Sequence, residues 1–304
     1  MSEESVDIAV PQEQADARPV QTKVQAFLAH FKAIFITLLV ALLLKTFVIE
    51  AFRIPSGSME NTLQIGDFIL VSKLAYGLRT PQHLPLTNLR LSSVALPLFG
   101  SVDRGDVIVF AYPGDHAIEG EEQVNYIKRC VGLPRDTVLL VRGTVVVNGK
   151  SLTLPPHAKA REENESWRWG ARLIPGTQGY TEDDFGPVVV PFRGQTISLN
   201  SDTYDDWKAF IIREGHRIFC DEGGVVYVDG AAASTYQVEH DYYFVLGDNR
   251  HNSLDSRFWG FVPDQNLIGE ALMVYWSWDP DIAVSDLTDK LSTVRWDRIG
   301  TLIR

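Results

Sequence analysis

The chain has 304 residues, 45% hydrophobic and 22% charged, so a packed core is available and wholesale disorder is excluded. Lys plus Arg number 28 against 39 Asp plus Glu, a net charge of −11, and with no basic block a nucleic-acid surface is not expected. Two cysteines exclude a disulfide scaffold and a four-thiolate metal site.

Residues 1–26 are polar, mostly acidic and without periodicity, and read as a disordered tail. Residues 33–44 then read AIFITLLVALLL, and Phe27 to Ile49 is apolar apart from His30, Lys32, Thr37, Lys45 and Thr46. At 1.5 Å per residue this stretch spans roughly 34 Å, enough to cross a bilayer. The following KTFVIEAFRIPS has no small-x-small cleavage site, so 27–50 is expected to be an uncleaved signal anchor. Arg18, Lys23 and Lys32 precede the span and only Arg53 follows closely. The positive-inside rule therefore leaves the N-terminus cytoplasmic and sends residues 51 onward to the far side.

Beyond residue 52 the pattern is β. Runs at 68–71, 106–110, 124–131, 137–141, 144–147, 186–190, 225–228 and 242–246 are β-branched or aromatic and punctuated by Gly, Pro, Asn and Asp. Asn148-Gly149 predicts a hairpin turn. One helix is predicted from Thr203 to Glu214, capped by Ser201 or Asp202 and ended by Gly215. Residues 77–103 and 155–185, the latter with Trp167 and Trp169, resist assignment. The expected fold class is mainly β, a membrane-anchored β-rich body with an inserted second β domain.

No Gly-x-Ser-x-Gly elbow, His-Glu-x-x-His motif or phosphate-binding Gly loop is present, and the seven histidines show no i, i+4 pair. A zinc site is not expected, and no metal or organic cofactor is implied. Two segments remain. Ser56-Gly-Ser58 alone reads as a turn. In Tyr126-Ile-Lys-Arg-Cys130, strand alternation puts Tyr126, Lys128 and Cys130 on one face and Arg129 on the other, and Lys128 alone reads as a snorkelling or paired lysine. Together they have a chemical logic, because a neutral lysine can activate a serine. Its pKa of about 10.4 must then fall to roughly 7–8, a shift that apolar burial supplies.

At this point the sequence resembles the bacterial type I signal peptidase family. PSGSM (55–59), IGDFILVSKLAYG (65–77), RGDVIVF (104–110), YIKRCVGLP (126–134), GDNRHNSLDSRFWGFV (247–262) and RWDRIG (295–300) resemble that family's boxes in order, behind an anchor. The resemblance implies a catalytic β domain of 51–136 and 241–304 and an inserted β domain of 137–240. It implies Ser58 as nucleophile and Lys128 as general base, with Ser56 and the Ser58 backbone N–H as oxyanion donors. Ser253 would orient Lys128, and Arg129, Asp248, Asp255 and Arg257 would form structural ion pairs. Phe52, Ile54, Pro55, Ile69, Tyr126 and Ile127 would line shallow pockets for small side chains, with the substrate adding as a strand.

The implied activity is a membrane-bound serine endopeptidase that removes signal peptides from exported preproteins after small-x-small motifs. It would act as a monomer at the outer face of the bacterial cytoplasmic (inner) membrane. Residues 77–103 and Trp296 would rest on the lipid bilayer. Two alternatives stand beside it: a Ser/Lys protease acting on itself or one dedicated partner, and a single-span scaffold or binding protein without catalysis. Three positions depart from the family pattern: Glu60-Asn61 where a proline is usual, Arg135 for Gly, and His251 for an acid. Cys130 is read either as a buried thiol or as the partner of Cys220.

Overall fold

The structure, a computed structural model, describes residues 23–79, 95–96, 100–113, 124–153, 179–283 and 285–304. The expected tail lies mostly outside these, as do 80–94 and 97–99 of the first unassigned stretch and 155–178 of the second, with Trp167 and Trp169. Two compact units are present, residues 1–44 and 45–304.

Helix α1 runs Lys23–Phe47, about 37 Å at 1.5 Å per residue. Its segment Gln25–Phe47 has mean hydropathy 2.3 and no buried side chain, long and apolar enough to cross a membrane. Two of its polar side chains bond inside the helix: Thr37 Oγ1 donates to the Ala33 carbonyl at 2.9 Å, and His30 Nδ1 lies 2.6 Å from that of Ala26. The helix starts before the expected span of 27–50 and stops short of its end. Ile49 and Glu50 pair instead as strand, opposite Ser72 and Val71.

The body is built on one seven-stranded antiparallel sheet. Its strands are β1 (Ile49–Arg53), β2 (Asp67–Ser72), β3 (Val107–Ala111), β4 (Asn125–Gly132), β5 (Tyr242–Leu246), β6 (Val262–Pro263) and β7 (Leu267–Ser277). They lie in the order β1-β2-β7-β3-β4-β5-β6. Strand β7 is the longest and sits between β2 and β3, yet the sequence pattern does not announce it. Against β2 its register shifts twice, between Ala271 and Met273 and between Val274 and Trp276. Each bulge breaks the period-two alternation by which a strand is recognised.

Residues 137–240 build sheets of their own, the largest joining Phe185–Val189, Thr137–Val141, Thr144–Val147 and Lys150–Ser151. The described residues of this stretch share a core with the large sheet. Val138, Leu140, Phe185, Ile211 and Val226 pack in one cluster with Val131 of β4 and Phe244 and Leu246 of β5. The hairpin turn falls at Asn148 and Gly149, with φ of 51° and 77°.

The helix of the insertion is Tyr204–Arg213, with Thr203 at its N-cap and no side-chain cap bond. Neither Ser201 nor Asp202 caps it. Asn200 Oδ1 collects the Asp202 and Thr203 amides instead, while the Thr203 hydroxyl turns back to the Ser198 carbonyl. Gly215, at φ +99°, closes the other end.

Arg135 does hold a left-handed backbone, φ +77°. Its guanidinium stacks 3.6 Å from the Phe192 ring centroid, and its N–H donates to the Val190 carbonyl at 3.0 Å. Glycine would relieve about 1 kcal/mol of strain and forfeit about 0.5–1 kcal/mol of stacking. Arg135→Gly is therefore expected to leave stability within about 0.5 kcal/mol, and a denaturation midpoint checks it.

Candidate active site

The segment leaving β1 turns because Pro55 lacks an N–H and cannot extend the ladder. It becomes a short 3-10 turn over Gly57–Met59, with Ser56 before it in extended conformation. Met59 fixes this turn to the body, fully buried among Ile54, Leu63, Ile69 and Val274. Ser58 is presented at the middle of the turn and is itself buried.

Lys128 comes from β4, an interior strand whose two faces serve different clusters. Tyr126 and Cys130 pack with Ile108, Phe110 and Val245, whereas Ile127 packs against Ile54, Met59 and Ile69. Lys128 is 4% exposed, and its Nζ lies 2.8 Å from Ser58 Oγ and 2.9 Å from the Ile127 carbonyl oxygen. The Tyr126 ring centroid is 5.3 Å away. Burial lowers the Lys128 pKa to about 8, against the opposing pull of Asp255 and Asp248. About one molecule in ten then carries a neutral amine at pH 7, already in contact with a hydroxyl.

The segment after β5 holds this pair together. The Asp248 carboxylate, fully buried, accepts from Arg129 Nε at 2.8 Å, Arg129 Nη2 at 2.6 Å and Thr62 Oγ1 at 2.6 Å. Arg129 also donates to the Gly105 carbonyl and to the Arg304 main-chain oxygen. The Asn249 backbone N–H donates to the Ser58 carbonyl at 3.0 Å, and its side-chain amide to that of Gly57 at 3.1 Å. Asp255 and Arg257 form a two-pronged buried pair, 2.9 Å at each prong. Burial pushes the Asp255 carboxyl up, but the charge and hydrogen bonds of Arg257 outweigh it and hold the group below its ordinary value.

Ser253 is fully buried but makes no hydrogen bond to Lys128, whose partners are Ser58 and Ile127. Its hydroxyl has no partner of normal hydrogen-bond geometry, though it is close enough to Asp255 to help hold that carboxyl down. Gly247 explains the crowding. A Cβ on it would lie 2.1 Å from Ser253 Oγ and 2.5 Å from the Ser58 carbonyl oxygen. Gly247→Ala must displace the Ser58 backbone, and is expected to lower kcat by about 10–100-fold in a preprotein cleavage assay.

The expected apolar lining divides. Phe52, Tyr126 and Ile127 are half-buried and Pro55 is exposed, whereas Ile54 and Ile69, 2% and 0% exposed, are closed in the core. Those two face the interior of the sheet and brace the surface from behind. Ser56 is exposed, free of any cap bond. His240 is engaged by Asp264 at 3.0 Å, which raises its pKa, and His251 is buried. Cys130 and Cys220 are both free thiols, with Cys130 buried and its pKa pushed up by that burial. Among the described residues no group of three or more His, Cys, Asp or Glu could hold a metal ion. The sequence reading assigned no role to Gly247, Asn249 or Thr62; the first two stand inside the quoted GDNR box, which was their only signal.

The described geometry is thus a buried serine in contact with a buried lysine on an antiparallel β body. Residues 27–276 match the family signal peptidase, peptidase S26, and the chain belongs to that family. Signal peptidase I of Pseudomonas aeruginosa is 34% identical over 290 residues, covering 89% of this chain and 78% of that protein. Signal peptidase I of Aquifex aeolicus is 30% identical over 277 residues, covering 86% and 89%. A crystal structure of a signal peptidase I from Enterococcus faecalis V583 aligns with 56% of this chain and 96% of its own, at 23% identity and a TM-score of 0.28. Membership makes the protein a signal-peptide-cleaving serine peptidase, a hydrolase acting on preproteins, and its apolar N-terminal helix is compatible with membrane anchoring.

Proposed function

We propose that Ser58 and Lys128 form the catalytic dyad and that the enzyme cuts exported preproteins after small-x-small motifs. The observation that carries this is the 2.8 Å contact between Nζ and Oγ, with the lysine buried and its pKa drawn down to about 8. Neutral Lys128 takes the Ser58 proton as Oγ attacks the scissile carbonyl. The tetrahedral oxyanion is met by the Ser58 N–H and the Ser56 hydroxyl, which the exposed, extended Ser56 is free to turn inward. The Lys128 ammonium then protonates the leaving amine, and an acyl ester remains on Ser58. Water deprotonated by Lys128 releases it. Ser253 acts through packing beside Gly247 and Asp255.

Phe52, Pro55, Tyr126 and Ile127 supply the surface that the small residues of the substrate touch, over a floor of Ile54 and Ile69. Helix α1 spans the inner membrane with the N-terminus cytoplasmic, and the body works as a monomer on the outer face. Trp296, 71% exposed and 6.0 Å from the Trp276 ring, meets the lipid there.

The test is to incubate detergent-solubilised full chain with a preprotein carrying an Ala-x-Ala site and to map cuts by mass spectrometry. Cleavage after the final Ala, lost in both Ser58→Ala and Lys128→Ala, is expected. Cleavage that survives Lys128→Ala would reject the lysine as base.

A further inference from the structure

The Ser58 N–H is one end of a rigid unit. The Gly57–Ser58 peptide is trans and planar, so its C=O and N–H point in opposite directions. Whatever grips the Gly57 oxygen therefore aims the Ser58 N–H. Two donors grip it, Glu60 N–H and Asn249 Nδ2, each at 3.1 Å. The Asn249 backbone N–H holds the Ser58 oxygen at 3.0 Å, so one residue ties the peptides on both sides of the Ser58 Cα. As one of the first three N–H groups of its short turn, the Ser58 N–H has no partner within that turn.

A primary amide can present either its nitrogen or its oxygen. Here Asn249 Nδ2 also donates to Glu60 Oε2, at 2.9 Å. Turned over, Asn249 would set its own oxygen against both a carbonyl and a carboxylate. Asn61 follows at φ +78°, a value proline cannot adopt, so Glu60 is delivered by a turn that the proline usual at this position would not make.

We infer that Glu60 and Asn249 are positioning residues: Glu60 selects the orientation of the Asn249 amide, and Asn249 aims the Ser58 N–H at the oxyanion. This rests on Ser58 being the nucleophile. Neither residue touches substrate, and Glu60 acts only through Asn249.

Steady-state kinetics of the full chain on the Ala-x-Ala preprotein test it, with Ser58→Ala in parallel and thermal midpoints for every variant. Asn249→Ala is expected to lower kcat by about 10–100-fold, and Glu60→Ala by about 3–10-fold, with KM unchanged. Glu60→Gln removes the charge but keeps an acceptor, and is expected to restore kcat to within about twofold of wild type. The double variant Glu60→Ala/Asn249→Ala should be no slower than Asn249→Ala alone. The inference is overturned if Glu60→Ala cleaves as wild type, if Glu60→Gln is as slow as Glu60→Ala, if the two losses multiply, or if lost folded protein accounts for them. Cleavage by Ser58→Ala would instead sink the dyad reading itself.

Discussion

Lys128→Met is expected to abolish cleavage and, at the same time, to make the protein more stable. The loss of activity should exceed about 10³-fold in kcat/KM, since the members of the proposed dyad would act as a unit and removing either leaves only binding and oxyanion contacts. The gain in stability follows from the depressed pKa. Lys128 titrates at about 8 in the folded chain against an ordinary 10.5, so below pH 8 folding must bury an ammonium at a disadvantage of about 3 kcal/mol. Losing the bonds to Ser58 Oγ and the Ile127 carbonyl costs about 1 kcal/mol in return. A net gain of about 2 kcal/mol should appear as several degrees in Tm. The sign of the linkage makes this sharper. Between pH 8 and 10.5 the unfolded chain binds more protons than the folded one, so wild-type stability rises with pH across that window. The advantage of Lys128→Met is therefore full below pH 8 and gone near pH 10.5. Melting curves at pH 7 and pH 10 decide it, and an equal advantage at both would show that Lys128 is not buried as an ammonium at pH 7. The same pKa sets the acid limb of wild-type kcat/KM, which should rise to a midpoint near 8 in the free enzyme.

Asp248→Ala should cost about 3–5 kcal/mol, because it takes from the buried Arg129 guanidinium the carboxylate that meets it at two prongs. The Gly105 carbonyl remains to Arg129 but carries no net charge, and Thr62 loses its acceptor as well. The pair itself is not expected to be worth that much. Replacing both partners, Arg129→Met with Asp248→Leu, should recover most of the loss, since no unpaired charge then stays in the interior. Denaturant titrations of the two variants separate these terms. A double variant as unstable as Asp248→Ala would mean that the pair holds the β4–β5 region by more than neutralisation.

The apolar N-terminal helix, the eight strand runs and the ordered boxes were legible because each is a local pattern: hydropathy, period-two alternation, a turn dipeptide, a short motif. Strand β7 was not, since its two bulges shift the alternation and only pairing with β2 and β3 reveals it. The helix cap was misplaced for a similar reason. Ser201, Asp202 and Thr203 all have capping chemistry, and Asn200 settled the matter by taking two amides from a position outside the helix.

At the site the division is of the same kind. Sequence alone determined which atoms are present, a serine in a turn and a lysine in an apolar strand, and set them in the order of a recognisable family. Tertiary structure decided that these residues, 70 apart in the chain, meet at 2.8 Å, and that burial takes the lysine down to about 8. It also decided that Gly247 is needed for the close approach of Ser58 and Ser253, that Ile54 and Ile69 lie under the surface, and that Val138, Leu140 and Phe185 share a core with β4 and β5. Desolvation, steric exclusion and core sharing depend on what surrounds a residue in three dimensions, and neighbours along the chain carry little of that information.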